Sequence, residues 1–211
     1  MKTTKFLIFG ASLTLLFACV KHEVVPAPSD LVKLDAHFTG IINGTDVEYT
    51  DDVNGFNGDD SQDQIILAPP SLSSAKYYSD ISSNLVLNSI KVGIGSNKWD
   101  AAALEKPSIG QFNDFCEALK NATVSFSDNA VDGFVVQYKD AFGNVWTSKE
   151  NSVNSQSVNF TSVETKSDDT GDYALIELDF ACHVYRTVSQ NPLEIDSLRI
   201  DNAYFKGWFK R

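Results

Sequence analysis

Asn43-Gly44 is the feature that most constrains how this chain can fold, because apolar residues alternate on both sides of it. Before the pair come Leu34, Ala36, Phe38 and Ile42, and after it Val47 and Tyr49. Asn-Gly supplies the two positive-φ residues of a type I′ turn, whose twist matches that of two paired strands, and a period of two leaves one face apolar. A helix cannot bury such a pattern. The same period returns at Gln64 to Ala68, Tyr77 to Ser82 and Leu85 to Gly95, then at Ala122 to Ser127, Gly133 to Lys139, Asn144 to Ser148 and Ser157 to Thr165. It closes the chain at Tyr173 to Thr187, Ser197 to Ile200 and Ala203 to Lys210. Asp51 to Asp63 reads as a polar loop, and Asp140-Ala141-Phe142-Gly143 as the turn of a second hairpin. Phe112, Phe115, Cys116 and Leu119 share a face at helical spacing and predict one short helix near residues 112–120. The expected fold is all-β: an antiparallel β-sandwich of about ten strands, with an open or closed barrel as the alternative.

The first nineteen residues follow different rules. Lys2 and Lys5 precede a mostly apolar run from Phe6 to Ala18, which ends in Leu16-Phe17-Ala18-Cys19. The run is shorter than the roughly 20 residues a bilayer span needs and fits an export signal. Its end resembles a lipobox, which implies cleavage before Cys19 and acylation of that cysteine. Residues 1–18 are then a signal peptide, residues 19–30 a lipidated, extended and mobile tether carrying Pro26 and Pro28, and residues 31–211 a single β-domain. The implied location is the bacterial cell envelope, with the chain held to a membrane by its lipid, the outer membrane being the expected one.

The whole chain has 17 Lys and Arg against 28 Asp and Glu. Removing residues 1–18 takes away two lysines and no acid, so the remaining chain carries a formal charge of −13. Nucleic acid is not an expected partner, since phosphate binding needs clustered basic residues and these are scattered. No cofactor is implied either. Gly93-Ile94-Gly95-Ser96-Asn97 has neither the G-x-S-x-G order of a nucleophile elbow nor the lysine of a phosphate loop.

With Cys19 acylated, Cys116 and Cys182 remain. Both fall on apolar faces and are expected to point inward. An extracytoplasmic disulfide and two packed free thiols are equally compatible with that, because the Cα separation that decides between them is not readable from sequence.

Three constellations have the residue types of a functional site. Asp52, Asn54 and Asp59, with Asp51, Asn57, Asp60 and Asp63, crowd oxygen donors into one segment, as calcium requires. The EF-hand order is absent, and a solvated acidic loop is the plainer expectation. Glu177, Asp179 and His183 alternate along one strand, where a solvent-facing half is the default and a glycosidase carboxylate pair the exception. His22 and His37 add no short-spaced zinc set. In the last strand, Tyr204, Lys206, Trp208 and Lys210 lie opposite Ala203, Phe205, Gly207 and Phe209, so Tyr204 and Trp208 are the candidate ligand-binding aromatics for a stacked sugar.

The lipobox, the opening Phe38-Thr39-Gly40-Ile41-Ile42-Asn43-Gly44 and the closing Ile200-Asp201-Asn202-Ala203-Tyr204-Phe205-Lys206-Gly207-Trp208-Phe209 together resemble single-domain β-sandwich lipoproteins of unknown function from Gram-negative bacterial envelopes. That resemblance carries no catalytic residue. The expected function is a non-catalytic binding module for a glycan or an envelope protein. The alternatives are a structural subunit of an envelope or fimbria-like assembly, with Ala203 to Lys210 as a free edge strand, and a small secreted hydrolase.

Overall fold

The computed structural model describes residues 31–128, 132–150 and 155–211. Cys19, His22 and the lipobox-like segment lie outside the described residues. Among those described, ten strands form one antiparallel sheet: β1 (His37–Ile42), β2 (Thr45–Thr50), β3 (Phe56–Ile65), β4 (Ser73–Ser83), β5 (Ser89–Trp99), β6 (Gly133–Lys139), β7 (Val145–Ser148), β8 (Ser157–Asp168), β9 (Gly171–Gln190) and β10 (Leu193–Lys210). The order is β2-β1-β10-β9-β7-β6-β5-β4-β3, with β8 on the part of β9 that β7 leaves free. Among the described residues one α-helix, α1 (Ile109–Ala118), continues into a 3-10 turn at Leu119–Asn121.

The Asn43-Gly44 turn forms as its residues require, with φ of 50° and 81°. The sheet it begins is a curled half-barrel. Its far end returns so closely to β10 that a Cβ on Gly207 would collide with Ser79 Oγ of β4 and stand 2.6 Å from the Phe205 ring. Alternation decides what the curl encloses: in β9 the even residues Ala174, Ile176, Leu178, Phe180, Cys182 and Val184 are buried while their odd neighbours are mostly half-buried or exposed. Phe134 of β6 is the hub of this core, meeting Phe126, Phe160 and Phe180 edge-on at ring separations of 5.1, 6.0 and 5.7 Å. Each such ring contributes on the order of 2 kcal/mol by leaving water, and edge-on pairs add to that. Helix α1 joins the core through Phe112 and Cys116, with Phe112 edge-on to Tyr77 at 5.0 Å. Its start is set by a reciprocal bond pair: Gln111 N donates to Ser108 Oγ and Ser108 N donates to Gln111 Oε1.

Four expectations change. The segment from Asp51 to Asp63 is a turn followed by strand β3, because its backbone pairs with β4 from Phe56↔Ser83 to Ile65↔Ser74 whatever its polar side chains prefer. Ala122 to Ser127 forms no strand and contributes one isolated bridge, Phe126↔Phe134. Ser197–Ile200 and Ala203–Lys210 belong to one long strand, interrupted by a bulge at which Asn202 takes φ 47° and the register to β9 slips. That strand is bonded to β9 through Lys210 and to β1 from Ile200 to Lys206, so Ala203 to Lys206 is no free edge, while Gly207 to Lys210 is paired by β9 on one side.

Candidate binding surface

Trp208 is not a stacking platform. It is 5% exposed, although its strand neighbours alternate as expected. The polypeptide leading into β1 runs over it, so that Leu34 and Ala36 join Gly58, Asp60 and Ser79 around a cavity of about 60 Å³ beside the indole. That space suits water rather than a sugar ring. Tyr173 closes edge-on from one side at 6.3 Å, and the Lys166 ammonium lies 5.5 Å from the indole centroid. A sequence pattern gives the face of a strand but not what crosses it, which is why this residue misleads.

Tyr204 is half-buried on the outer wall, opposite Thr39 of β1 and Asp179 of β9. Burial and, after it, a hydrogen bond to Glu177 together push its phenol pKa up to about 12, since the carboxylate favours the protonated phenol. Lys206 Nζ stands 3.9 Å from Glu177 Oε1 as well. The donors expected to meet a ligand are thus turned onto Glu177. His37 completes the row, its ring 6.1 Å from Tyr204 and its Nδ1 2.9 Å from Thr50 Oγ1. Glu177, Asp179 and His183 occupy this same wall at alternate positions of β9. His183 faces Arg199 across the ladder, and burial, aided by Arg199, lowers its pKa. Glu177 and Asp179 are thus neighbours along one strand of an outward wall, whereas a glycosidase pair faces itself across a cleft.

The oxygen-rich segment is spread out. Asp52 and Asn54 take positive φ in the turn before β3, Asp51 Oδ1 accepts from Gly58 N, and Asp59 sits in β3 with Oδ1 accepting from Asp60 N. Among the described residues no group of three or more His, Cys, Asp or Glu is placed to hold a metal ion. Cys116 and Cys182 are both buried free thiols, so the disulfide alternative gives way to the packed one. Burial pushes the Cys182 pKa up to about 12 and that of Cys116 higher still, leaving neither as a thiolate at neutral pH.

The surface that sequence reasoning missed lies on the turns. Exposed large apolar residues gather at the two ends of the curled sheet. One end carries Leu85, Val86 and Leu87 of the β4–β5 loop together with Phe142 and Val145 of the β6–β7 hairpin. The two meet: a Cβ on Gly143 would lie 3.4 Å from Leu87 Cδ1. Continuing the pairing Thr147↔Tyr185 outward brings in the β9–β10 tip, where Val188, Leu193 and Ile195 are also exposed. Phe142 is 88% exposed, and the turn beneath it is braced. Asp140 Oδ1 accepts from Phe142 N and Asn144 N, both at 2.9 Å, while Oδ2 accepts from Asn144 Nδ2 at 2.9 Å and Trp146 Nε1 at 3.1 Å. Burial raises the Asp140 pKa, and these bonds outweigh it, holding the carboxyl below its ordinary value. The signal available in sequence was Leu85-Val86-Leu87, which reads as a strand start until the pairing shows β5 beginning at Ser89.

A scan of family models, a search of characterised proteins and a search of solved structures each find no match to this chain.

Proposed function

We propose that this protein is a lipid-anchored, non-catalytic binding module of the bacterial envelope, and that its partner is another envelope protein engaged by the apolar turn end. The observation that carries this reading is Phe142, an aromatic 88% exposed on a turn that four hydrogen bonds to Asp140 hold in place. A preorganised aromatic anchor loses little conformational freedom on binding, and aromatic residues dominate the energetics of protein interfaces. Leu85, Val86, Leu87 and Val145 surround it with further apolar area, which on a protein with no partner is a liability. Burial of Trp208 favours a protein over a glycan as the ligand. The alternative of a structural subunit has its place at β2, which among the described residues pairs only with β1 but is short and carries Asp46 and Glu48, features that guard an edge. We also read the curl as sandwich-like, since β3 and β4 pack across the core onto β10.

Site-specific photo-crosslinking in the native host tests the binding surface. A photoreactive residue at Phe142 or Leu87 is expected to give a discrete protein adduct, and one at Ser61 on the exposed wall of β3 is expected to give none. Equal adducts at the three positions, or no adduct at Phe142, would refute the assignment.

A further inference from the structure

We infer that the opposite end of the sheet rests on the membrane surface, a proposal that depends on the reading of Cys19 as lipidated. The chain enters the described domain at this end, where Val32 N donates to Asp168 Oδ2 in the β8–β9 turn at 2.6 Å. The C-terminus is here too: Arg211 pairs with Asp172 at 2.6 Å and donates to Pro107 O at 2.8 Å. Pro107 belongs to the segment between β5 and α1, which Trp99 Nε1 ties down by donating to Leu104 O at 3.0 Å. Trp99 in turn faces Ser73, whose Oγ holds Leu67 N at 2.9 Å. This chain of bonds brings Leu31, Ile65, Ile66, Leu67, Leu72 and Leu104, all exposed, to one end of the molecule.

Three observations identify lipid as what covers them. From Cys19 to Leu31 the chain can extend at most about 40 Å, at roughly 3.3 to 3.6 Å per residue. Strand β9 runs its 20 residues from this end toward the Phe142 end, so the chain enters at the end away from Phe142. With Cys19 lipidated, the anchored segment joins the domain at this end. The side chains are aliphatic, with no exposed Trp, Tyr or Phe among them, which suits the acyl boundary better than an interface built on aromatic and Arg anchors. Tethering makes the encounter intramolecular, so even a weak apolar contact is populated. The Phe142 end then points away from the membrane, toward a partner.

The full lipidated chain, reconstituted in vesicles of phosphatidylethanolamine with a minority of phosphatidylglycerol, gives the test. An environment-sensitive fluorophore is placed on Leu72→Cys or, separately, on Phe142→Cys; Cys116 and Cys182 are buried and do not compete for label. A lipid-borne quencher is expected to act on the label at position 72 about threefold more strongly than at 142, as for groups seated at the headgroup boundary. Adding Ile66→Asp and Leu104→Asp should remove that difference while leaving the melting temperature in place. Mass spectrometry of the same sample reports acylation of Cys19. An acylated chain whose position 72 is no more quenched than 142, or is shielded from aqueous iodide without being reached by the lipid quencher, overturns the membrane contact alone. An unacylated chain overturns the anchor and the contact together.

Discussion

Gly207→Ala tests whether the sheet curls until β4 meets β10. Gly207 has no positive φ, so alanine suits its backbone, and the loss of unfolded-state freedom alone would stabilise the protein by about 0.5 to 1 kcal/mol. Against this, the new Cβ collides with Ser79 Oγ and lies 2.6 Å from the Phe205 ring. Both neighbours are buried, and overpacking such a site costs about 1 to 3 kcal/mol. The net loss is at most about 2.5 kcal/mol and centres on about 1 kcal/mol, which for a domain of this size lowers Tm by about 2 to 4 °C. Ser79→Ala deletes the nearest atom, so in that background Gly207→Ala should cost about 1 kcal/mol less. Denaturant melts of the four proteins complete the cycle. The same loss in both backgrounds would mean that β4 and β10 do not touch at this point.

The buried-thiol assignment predicts that neither Cys116 nor Cys182 reacts with iodoacetamide in the native protein, and that both alkylate after denaturation without reductant. Asp80 faces Asp59 across β3–β4, and burial raises its pKa while Lys91 only partly offsets this. The folded state therefore binds a proton more readily than the unfolded one, so ionisation of Asp80 works against folding above its ordinary pKa. Asp80→Asn should then raise Tm at neutral pH, with the gain disappearing as pH falls below about 4, where both states are protonated. Asp168 has the opposite sign. Hydrogen bonds from Thr170 and the Val32 amide lower its pKa to about 2, so its contribution is present above the ordinary carboxylate pKa and is lost as pH falls toward 2. Asp168→Asn should accordingly speed hydrogen exchange at Val32 near neutral pH.

Much of the fold is legible because alternation is a local signal. Leu175 to Val184 shows its buried face directly, and Asn43-Gly44 names its own turn. Strand β3 was hidden because Asn57 to Gln64 is almost wholly polar and pairs only through its backbone, a tertiary choice that side-chain pattern does not record. The helix core was visible in Phe112 and Cys116, but its start three residues earlier depends on the reciprocal Ser108–Gln111 cap. For the candidate site the reading failed in both directions. Trp208 sits on a nominally outward face yet is buried, and it lines one small cavity with Leu34 and Ala36, residues more than a hundred positions away. Phe142 lies in a turn that its sequence marks, but its significance comes from Leu87 lying against the neighbouring Gly143, which only the order β7-β6-β5 reveals.

The division between a packed Trp208 and a presented Phe142 is the core of this account, and paired melts of Trp208→Ala and Phe142→Ala test it most directly. Truncating a buried tryptophan costs about 3 to 5 kcal/mol, so Trp208→Ala should lower Tm by about 10 °C. A side chain 88% exposed contributes little to packing, so Phe142→Ala should leave Tm within about 1 °C while abolishing the crosslinked adduct at Leu87. A Phe142→Ala variant as unstable as Trp208→Ala, or a Trp208→Ala variant as stable as the parent, would contradict the assignment of both residues.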